Sequence, residues 1–422
     1  MQKIFDFVFV LLLPFTCLSQ QWSAVGTGCN DLARTMCVWN DHLIVGGSFI
    51  SAGGLPVNLV AEWDGTNWSA LGNGITNQTT ILNLINFNGT LYAAGVEDLD
   101  VWDGSNWNSV PGNPHTDFYG FTIFNNKIYF AMPGAVWQFD GTTWTNIGTA
   151  NTNIYSITHY KGDIYAGGDF TSINSIPLSN IAKWDGSTWS SLGYGILSGQ
   201  LVDAVETYDN ELYVSGLFTA SAGNASDYLM KWDGSNWLSI GTGAYTRPWE
   251  LDSIYGKLYI GSGTLGGVNG LAVNGIASFD GTNWDSLGSG IISGAGIGID
   301  KMIGFDNCVY ASGQFSIAGG SIALNIARYC DFTGIETISD QFSLSPNPVE
   351  NFLNIDLQSQ PDNVSLFIYD AVGRRVFLPI EQNHQKISLN AENLPDGLYF
   401  IKIKNRNTSI EKISKFIKVH SL

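Results

Sequence analysis

Short apolar runs, broken by polar turn pairs, recur seven times between residues 21 and 331. A first run leads to a pair such as Asn40-Asp41, Asn88-Gly89, Asp209-Asn210 or Asp306-Asn307. A second run follows: Leu-Ile-Val at 43–45, Leu-Tyr-Ala at 91–93, Ile-Tyr-Phe at 128–130, Ile-Tyr-Ala at 164–166, Leu-Tyr-Val at 212–214, Leu-Tyr-Ile at 258–260 and Val-Tyr-Ala at 309–311. A bend, usually Gly-bearing, then gives way to a third run. These third runs end at Trp63, Trp102, Phe139, Trp184, Trp232, Phe279 and Tyr329. Runs this short, with turn residues that tolerate positive φ between them, predict four strands per unit and tight hairpins rather than helices. Units of this period bury their apolar faces only against their neighbours, so the repeat predicts a stacked all-β architecture.

Six tryptophans open the fourth runs: Trp68, Trp107, Trp144, Trp189, Trp237 and Trp284. No such residue follows Tyr329, but Gln21-Trp22-Ser23-Ala24-Val25-Gly26 resembles Trp68-Ser-Ala-Leu-Gly72 and has no third strand before it. The N-terminal strand is therefore expected to complete the seventh unit and close the array, which removes two free sheet edges. The fold expected for 21–331 is a seven-bladed β-propeller. Trp-to-Trp spacing falls from 46 residues to 39 and 37 around the second and third units, where the link between second and third strands is short, so one face is expected to carry a notch there.

These residues resemble the kelch and galactose-oxidase-like propellers, and Asn180–Ile196 is similar to repeats of fungal cortical polarity-marker proteins. Of the double Gly of kelch repeats, only Gly46-Gly47 and Gly167-Gly168 are intact. A galactose-oxidase-type copper site needs Tyr and His ligands, but His42, His115 and His159 fall in three different units. The resemblance thus implies a fold and no activity.

After residue 333 the tryptophans stop and Lys and Arg become frequent. Phe352–Leu357, Val364–Tyr369, Leu398–Ile403 and Ile413–Val419 alternate as half-buried strands, which predicts a small Ig-like β-sandwich. The segments 344–348, 366–374, 394–403 and 415–418 resemble the C-terminal sorting domain of the Bacteroidetes type IX secretion system. That resemblance implies recognition by the secretion machinery, passage across the outer membrane, removal of the tail, and a secreted or cell-surface product. On strand pattern alone the alternative is an ordinary Ig-like binding module. The expected domains are a signal peptide at 1–20, the propeller at 21–331, a linker at 332–341 and the sorting domain at 342–422. Lys3, the apolar core Phe7–Leu13 and Cys17-Leu18-Ser19 carry the signal-peptide reading, with Cys17 as a lipoprotein acceptor the alternative.

Charge narrows the partners. The chain carries −18, of which 21–335 holds −17 (9 Lys/Arg against 26 Asp/Glu). Phosphate backbones repel such a surface, so no nucleic-acid partner is expected. No apolar run after residue 20 is long enough for a transmembrane segment.

Four cysteines remain after the signal. Aligned with the fourth unit, Cys308 and Cys330 replace Asp163 and Asp185 on adjacent antiparallel strands, so a Cys308–Cys330 disulfide is expected, and Cys29–Cys37 is possible by elimination. The repeated Asp-Gly pairs read as turn formers rather than calcium ligands, because they lack the alternating carboxylates of a calcium loop; calcium is possible without a supporting motif. The repeat tryptophans read as packing between units. Trp39 and Trp249, outside the repeat positions, are the ligand candidates, and Glu97-Asp98-Leu99-Asp100 reads as a solvated acidic edge. No nucleophile triad, phosphate loop, zinc pattern or cofactor motif is present, so no catalytic residue is assigned. The function expected is a non-catalytic binding or scaffold module with a surface glycan or protein ligand. The alternative is a glycan-active lyase or hydrolase using carboxylates from different blades at the propeller mouth.

Overall fold

The computed structural model describes residues 21–196, 201–220, 223–293, 298–330, 342–357, 364–370, 375–376, 380–383, 386–392, 394–405 and 411–419. The signal peptide expected at 1–20 and the linker expected at 332–341 lie outside them. Contacts divide the chain into two compact units, Met1–Phe332 and Thr333–Leu422, and no α-helix occurs among the described residues.

In the first unit the repeats become antiparallel sheets. The first repeat forms Ala33–Trp39, His42–Gly47, Val60–Trp63 and Trp68–Ala70, hydrogen-bonded in that order. The second, fifth and sixth repeats do the same, beginning at Ile81–Phe87, Leu201–Tyr208 and Glu250–Ile254. Third and fourth repeats merge because Trp144–Tyr160 runs unbroken from the last strand of one into the first strand of the next. In the seventh, Gly298–Phe305, Cys308–Gln314 and Ile326–Cys330 are completed by Gln21–Ala24, with Trp22 opposite Tyr329. First strands of consecutive repeats lie against one another, and Gly298–Phe305 lies against Ala33–Trp39, so the contacts return to where they began.

Two devices set this geometry. Each of six Trp/Phe-Asp-Gly turns is held by its Asp: Asp64 Oδ1 accepts from Thr66 N and Asn67 N at 2.7 and 2.6 Å, and the five later turns repeat this. The following Gly, at φ +97° in Gly65, takes a conformation other residues resist. An aromatic pair meets across each of these turns, and Trp22–Tyr329 takes the same place in the seventh sheet, with centroids 4.5–5.5 Å apart. Four of the fourth-strand indoles also tie neighbouring repeats. Trp22, Trp68, Trp189 and Trp237 donate Nε1–H to the carbonyls of Leu287, Val25, Ile147 and Leu192.

The link between second and third strands folds into small hairpins in the first, fourth, sixth and seventh repeats, such as Ser51–Ala52 with Leu55–Pro56. In the third repeat Lys127–Phe139 runs straight through, and in the second Gly95 N bonds Asp98 O directly.

The second unit has two four-stranded antiparallel sheets. Phe342–Ser345, Phe352–Leu357, Lys386–Asn390 and Ile380–Asn383 form one, and Arg375–Val376, Val364–Asp370, Gly397–Asn405 and Glu411–Lys418 the other. Leu353, Ile355, Ile368, Leu389, Ile401 and Phe416 share one core.

Candidate functional site

A β-bulge recurs near the start of five first strands, skipping register at Ala33/Thr35, Ile81/Asn83, Ile154/Ser156, Val202/Ala204 and Ile299/Lys301. A bulge re-aims the residue it contains. Here those residues are Arg34, Leu82, Tyr155, Asp203 and Asp300, and all five line one cavity of about 130 Å³. Asn83, Phe121, Glu206, Glu250 and Lys301 line it as well, so side chains from every repeat but none of the outer strands enclose it.

Its wall is two-sided. Repeats two to four supply Leu82, Asn83, Phe121 and Tyr155; repeats five to seven and one supply the charges. Arg247 Nη2 donates to Asp203 Oδ1 at 2.9 Å, while its Nε lies 2.6 Å from Oδ2 without hydrogen-bond alignment. Lys301 Nζ donates to Glu250 Oε1 at 2.7 Å and to Asp252 Oδ1, and Asp252 Oδ2 accepts from Met302 N at 3.0 Å. Arg34 Nη1 stands 3.6 Å from Asp300 Oδ2, an ion pair without a hydrogen bond. These pairs cross from repeat to repeat, so they join neighbours as well as line the cavity.

Burial dominates the electrostatics. It raises the Asp203 carboxyl to about 7 against the opposing pull of Arg247, and Asp300 to about 6 against Arg34. Glu206 rises to about 8 through burial and the nearby Asp252 charge, with Lys301 and the Ser253 N–H opposing. Glu250 is pushed well up by burial, and Lys301, despite burial, is held in its charged form by Asp252 and Glu250. The side chains remain wetted: Lys301 is 30 % exposed and Glu250 21 %. Low dielectric and adjacent solvent together are the conditions under which carboxyls titrate near neutrality.

The residues expected from sequence fall elsewhere. Cys308 and Cys330 are opposite in register, with Cα atoms 4.3 Å apart, and are joined in a disulfide. Cys29 and Cys37 are not paired, which corrects the Cys29–Cys37 expectation: both are buried free thiols raised to about 12 by burial, and they belong to different core clusters. Trp39 ends its strand beside the turn, opposite His42, and donates Nε1–H to Gly89 O at 2.8 Å. Trp249 lies at the other end of a first strand, directly before Glu250, so the structure does not bring the two tryptophans together. Of the acidic edge only Glu97 is exposed: Asn77 and Gln78 donate to Asp100, which is buried, and Asn113 and the Ser109 hydroxyl donate to the half-buried Asp98. Among the described residues no group of three His, Cys, Asp or Glu is arranged to hold a metal ion.

Sequence reasoning missed Arg34, Asp203, Glu206, Glu250, Asp300 and Lys301. A signal was present, since the bulge residue stands six positions before the turn pair, as Arg34 before Asn40, Asp203 before Asp209 and Asp300 before Asp306.

Residues 343–419 match the family of secretion system C-terminal sorting domains. The tail is a type IX sorting domain. Through it the protein engages the type IX secretion machinery and is secreted or placed at the outer cell surface. No helix among the described residues is long and apolar enough to cross a membrane.

None of the curated proteins matches the chain. Among solved structures, the chain is similar to the extracellular domain of the hybrid two-component system BT4673 from B. thetaiotaomicron. That likeness has a TM-score of 0.58 at 12 % identity, covering 95 % of this chain and 53 % of that one. The chain thus spans about half the length of that structure, and the likeness is one of fold. The β-propeller domain of the Trilobed protease from Pyrococcus furiosus aligns at TM-score 0.43 and 10 % identity, over 71 % of this chain and 96 % of that one. PorZ, a surface component of the type IX secretion system of Porphyromonas gingivalis, aligns at 0.26 and 14 %, over 91 % and 75 %. These last two likenesses are too distant to bear on function.

Proposed function

We propose that residues 21–331 form a kelch-like seven-bladed propeller, exported behind a signal peptide and carried by an Ig-like sorting sandwich at 342–422, and that it acts at the cell surface as a non-catalytic binding module. The observation behind this reading is the cavity where the seven first strands meet: its charged groups engage one another in Arg247–Asp203, Arg34–Asp300 and Lys301–Glu250–Asp252 contacts. These contacts engage every charged side chain of the cavity but Glu206, and they offer a shaped, charged recess without an assembled nucleophile and base. Propellers gather side chains from every blade around one opening, which suits recognition, although fold alone assigns none.

A glycan-active enzyme is the second reading. What favours it is the pair Asp203 and Glu206, raised to about 7 and 8, where a carboxyl acts as a general acid. One experiment separates the two. The exported protein is incubated with a panel of polysaccharides and glycoproteins, with and without chelator, and bound protein and new reducing or unsaturated ends are read together. Retention without products is expected. Products that disappear in Asp203→Asn and Glu206→Gln overturn the binding reading in favour of the enzyme.

A further inference from the structure

We infer that the central cavity receives an organic cation, a primary ammonium or guanidinium carried on an apolar or aromatic body. The inference rests on the proposal that the cavity is a binding site, and supplies the ligand class.

Charge is the first ground. Asp203, Glu206, Glu250, Asp252 and Asp300 face three cations, Arg34, Arg247 and Lys301, which leaves two carboxylates uncompensated when all are ionised. Lys301 serves two of the five, and Glu206 has no side-chain partner of its own beyond the field of Lys301. Asp300 Oδ2 is a buried acceptor with only the 3.6 Å approach of Arg34. Excess negative charge in a confined space is relieved by protonation or by an incoming cation.

The aromatic lining is the second ground. Phe121 and Tyr155 line the same cavity from the third and fourth repeats, with Tyr119 beside Tyr155 at a ring-centroid distance of 5.7 Å. The Tyr155 hydroxyl is turned away to Asp169, donating at 3.1 Å. Carboxylates and aromatic groups lining one recess favour a desolvated cation, and specifically one with an apolar body. A bare metal ion fits poorly, because the carboxylates are spread along three strands and no three converge. Size agrees: about 130 Å³ is close to the roughly 150 Å³ cavity that holds a benzene ring.

Protonation supplies a second readout. Near neutral pH, Asp203, Glu206 and Asp300 hold part of a proton each, with values of about 7, 8 and 6. Arg247 faces the first, Asp252 and Lys301 the second, Arg34 the third. A bound cation lowers all three and releases protons, so affinity rises with pH.

The test titrates the full exported chain with benzylamine, benzyl alcohol and benzoate, by calorimetry in two buffers of different ionisation enthalpy. Benzylamine is expected to saturate one site, with proton release at about pH 7, and to bind roughly tenfold more weakly at about pH 5.5 than at about pH 8. Benzyl alcohol is expected to bind at least roughly tenfold more weakly than the amine, and benzoate weaker still. Glu206→Gln, checked for an unchanged circular-dichroism spectrum, is expected to weaken the amine and reduce proton release. Failure of benzylamine to saturate, or equal binding of the alcohol, overturns the inference whether or not the variant folds. If the polysaccharide and glycoprotein panel is still retained in that case, the binding reading survives and only the ligand class falls.

Discussion

The indoles that open the fourth strands share one sequence position and do not share one bonding state. Trp68 Nε1 donates to Val25 O at 3.0 Å, whereas Trp107 Nε1 is buried without a partner. A buried carbonyl deprived of its donor costs about 1–2 kcal/mol, while removal of an orphaned donor costs nothing on that account. Trp68→Phe is therefore expected to destabilise the protein by about 1 kcal/mol more than Trp107→Phe, as read from guanidinium denaturation midpoints. The same scale shows where sequence reading reaches its limit. An apolar period locates Leu43, Tyr165 or Tyr310 because burial imposes it, but Arg34, Asp203 and Asp300 break the period through a bulge. Nothing in their residue type announces that they face inward together. Their common offset from the turn pair was legible; their convergence depended on the curvature of seven strands.

At the level of elements, neighbouring sheets are joined by polar contacts as well as by apolar faces. Lys301 on Gly298–Phe305 holds Glu250 and Asp252 on Glu250–Ile254, so Lys301→Met strands two half-buried carboxylates. A loss of about 3 kcal/mol is expected, smaller at acid pH because burial already favours the protonated form of Glu250, measured as paired denaturation curves at alkaline and acid pH. The seventh sheet is fastened differently. Cys308–Cys330 closes a loop with a sequence separation of 22 between its second and third strands. Chain-entropy reasoning gives the Cys308→Ser/Cys330→Ser variant a loss of about 3 kcal/mol. This sheet was the more readable element, because strand pairing follows from the repeat, and pairing sets the Cys308↔Cys330 register. The hairpins of the first, fourth, sixth and seventh repeats were not legible beyond their length, since two-residue strands carry no period.

Across the whole molecule two populations of carboxyls pull stability in opposite directions with pH. Asp103, Asp140, Asp185, Asp233 and Asp280 are lowered, chiefly by the backbone N–H three residues on, and Asp64 is lowered by its turn although burial opposes. Their contribution is present above the unfolded carboxyl value of about 4 and fades as pH falls further. Asp203, Glu206 and Asp300 are raised, so their contribution is complete below about 4 and is lost as pH climbs through about 6 to 8. Maximum stability is expected at about pH 4–5, with the melting temperature falling toward pH 8, and Asp203→Asn with Glu206→Gln flattening the alkaline side in scanning calorimetry. A different consequence attaches to Gln21–Ala24. Gln21–Ala24 cannot find its place until its partner Ile326–Cys330, some three hundred residues downstream, is available. Loop closure on that scale makes the final pairing slow, and the third strand of the seventh sheet stays an open edge until it happens. There is thus a period, before this pairing, in which the edge of Ile326–Cys330 accepts any matching strand. How long that period lasts is set by the search for a single four-residue segment.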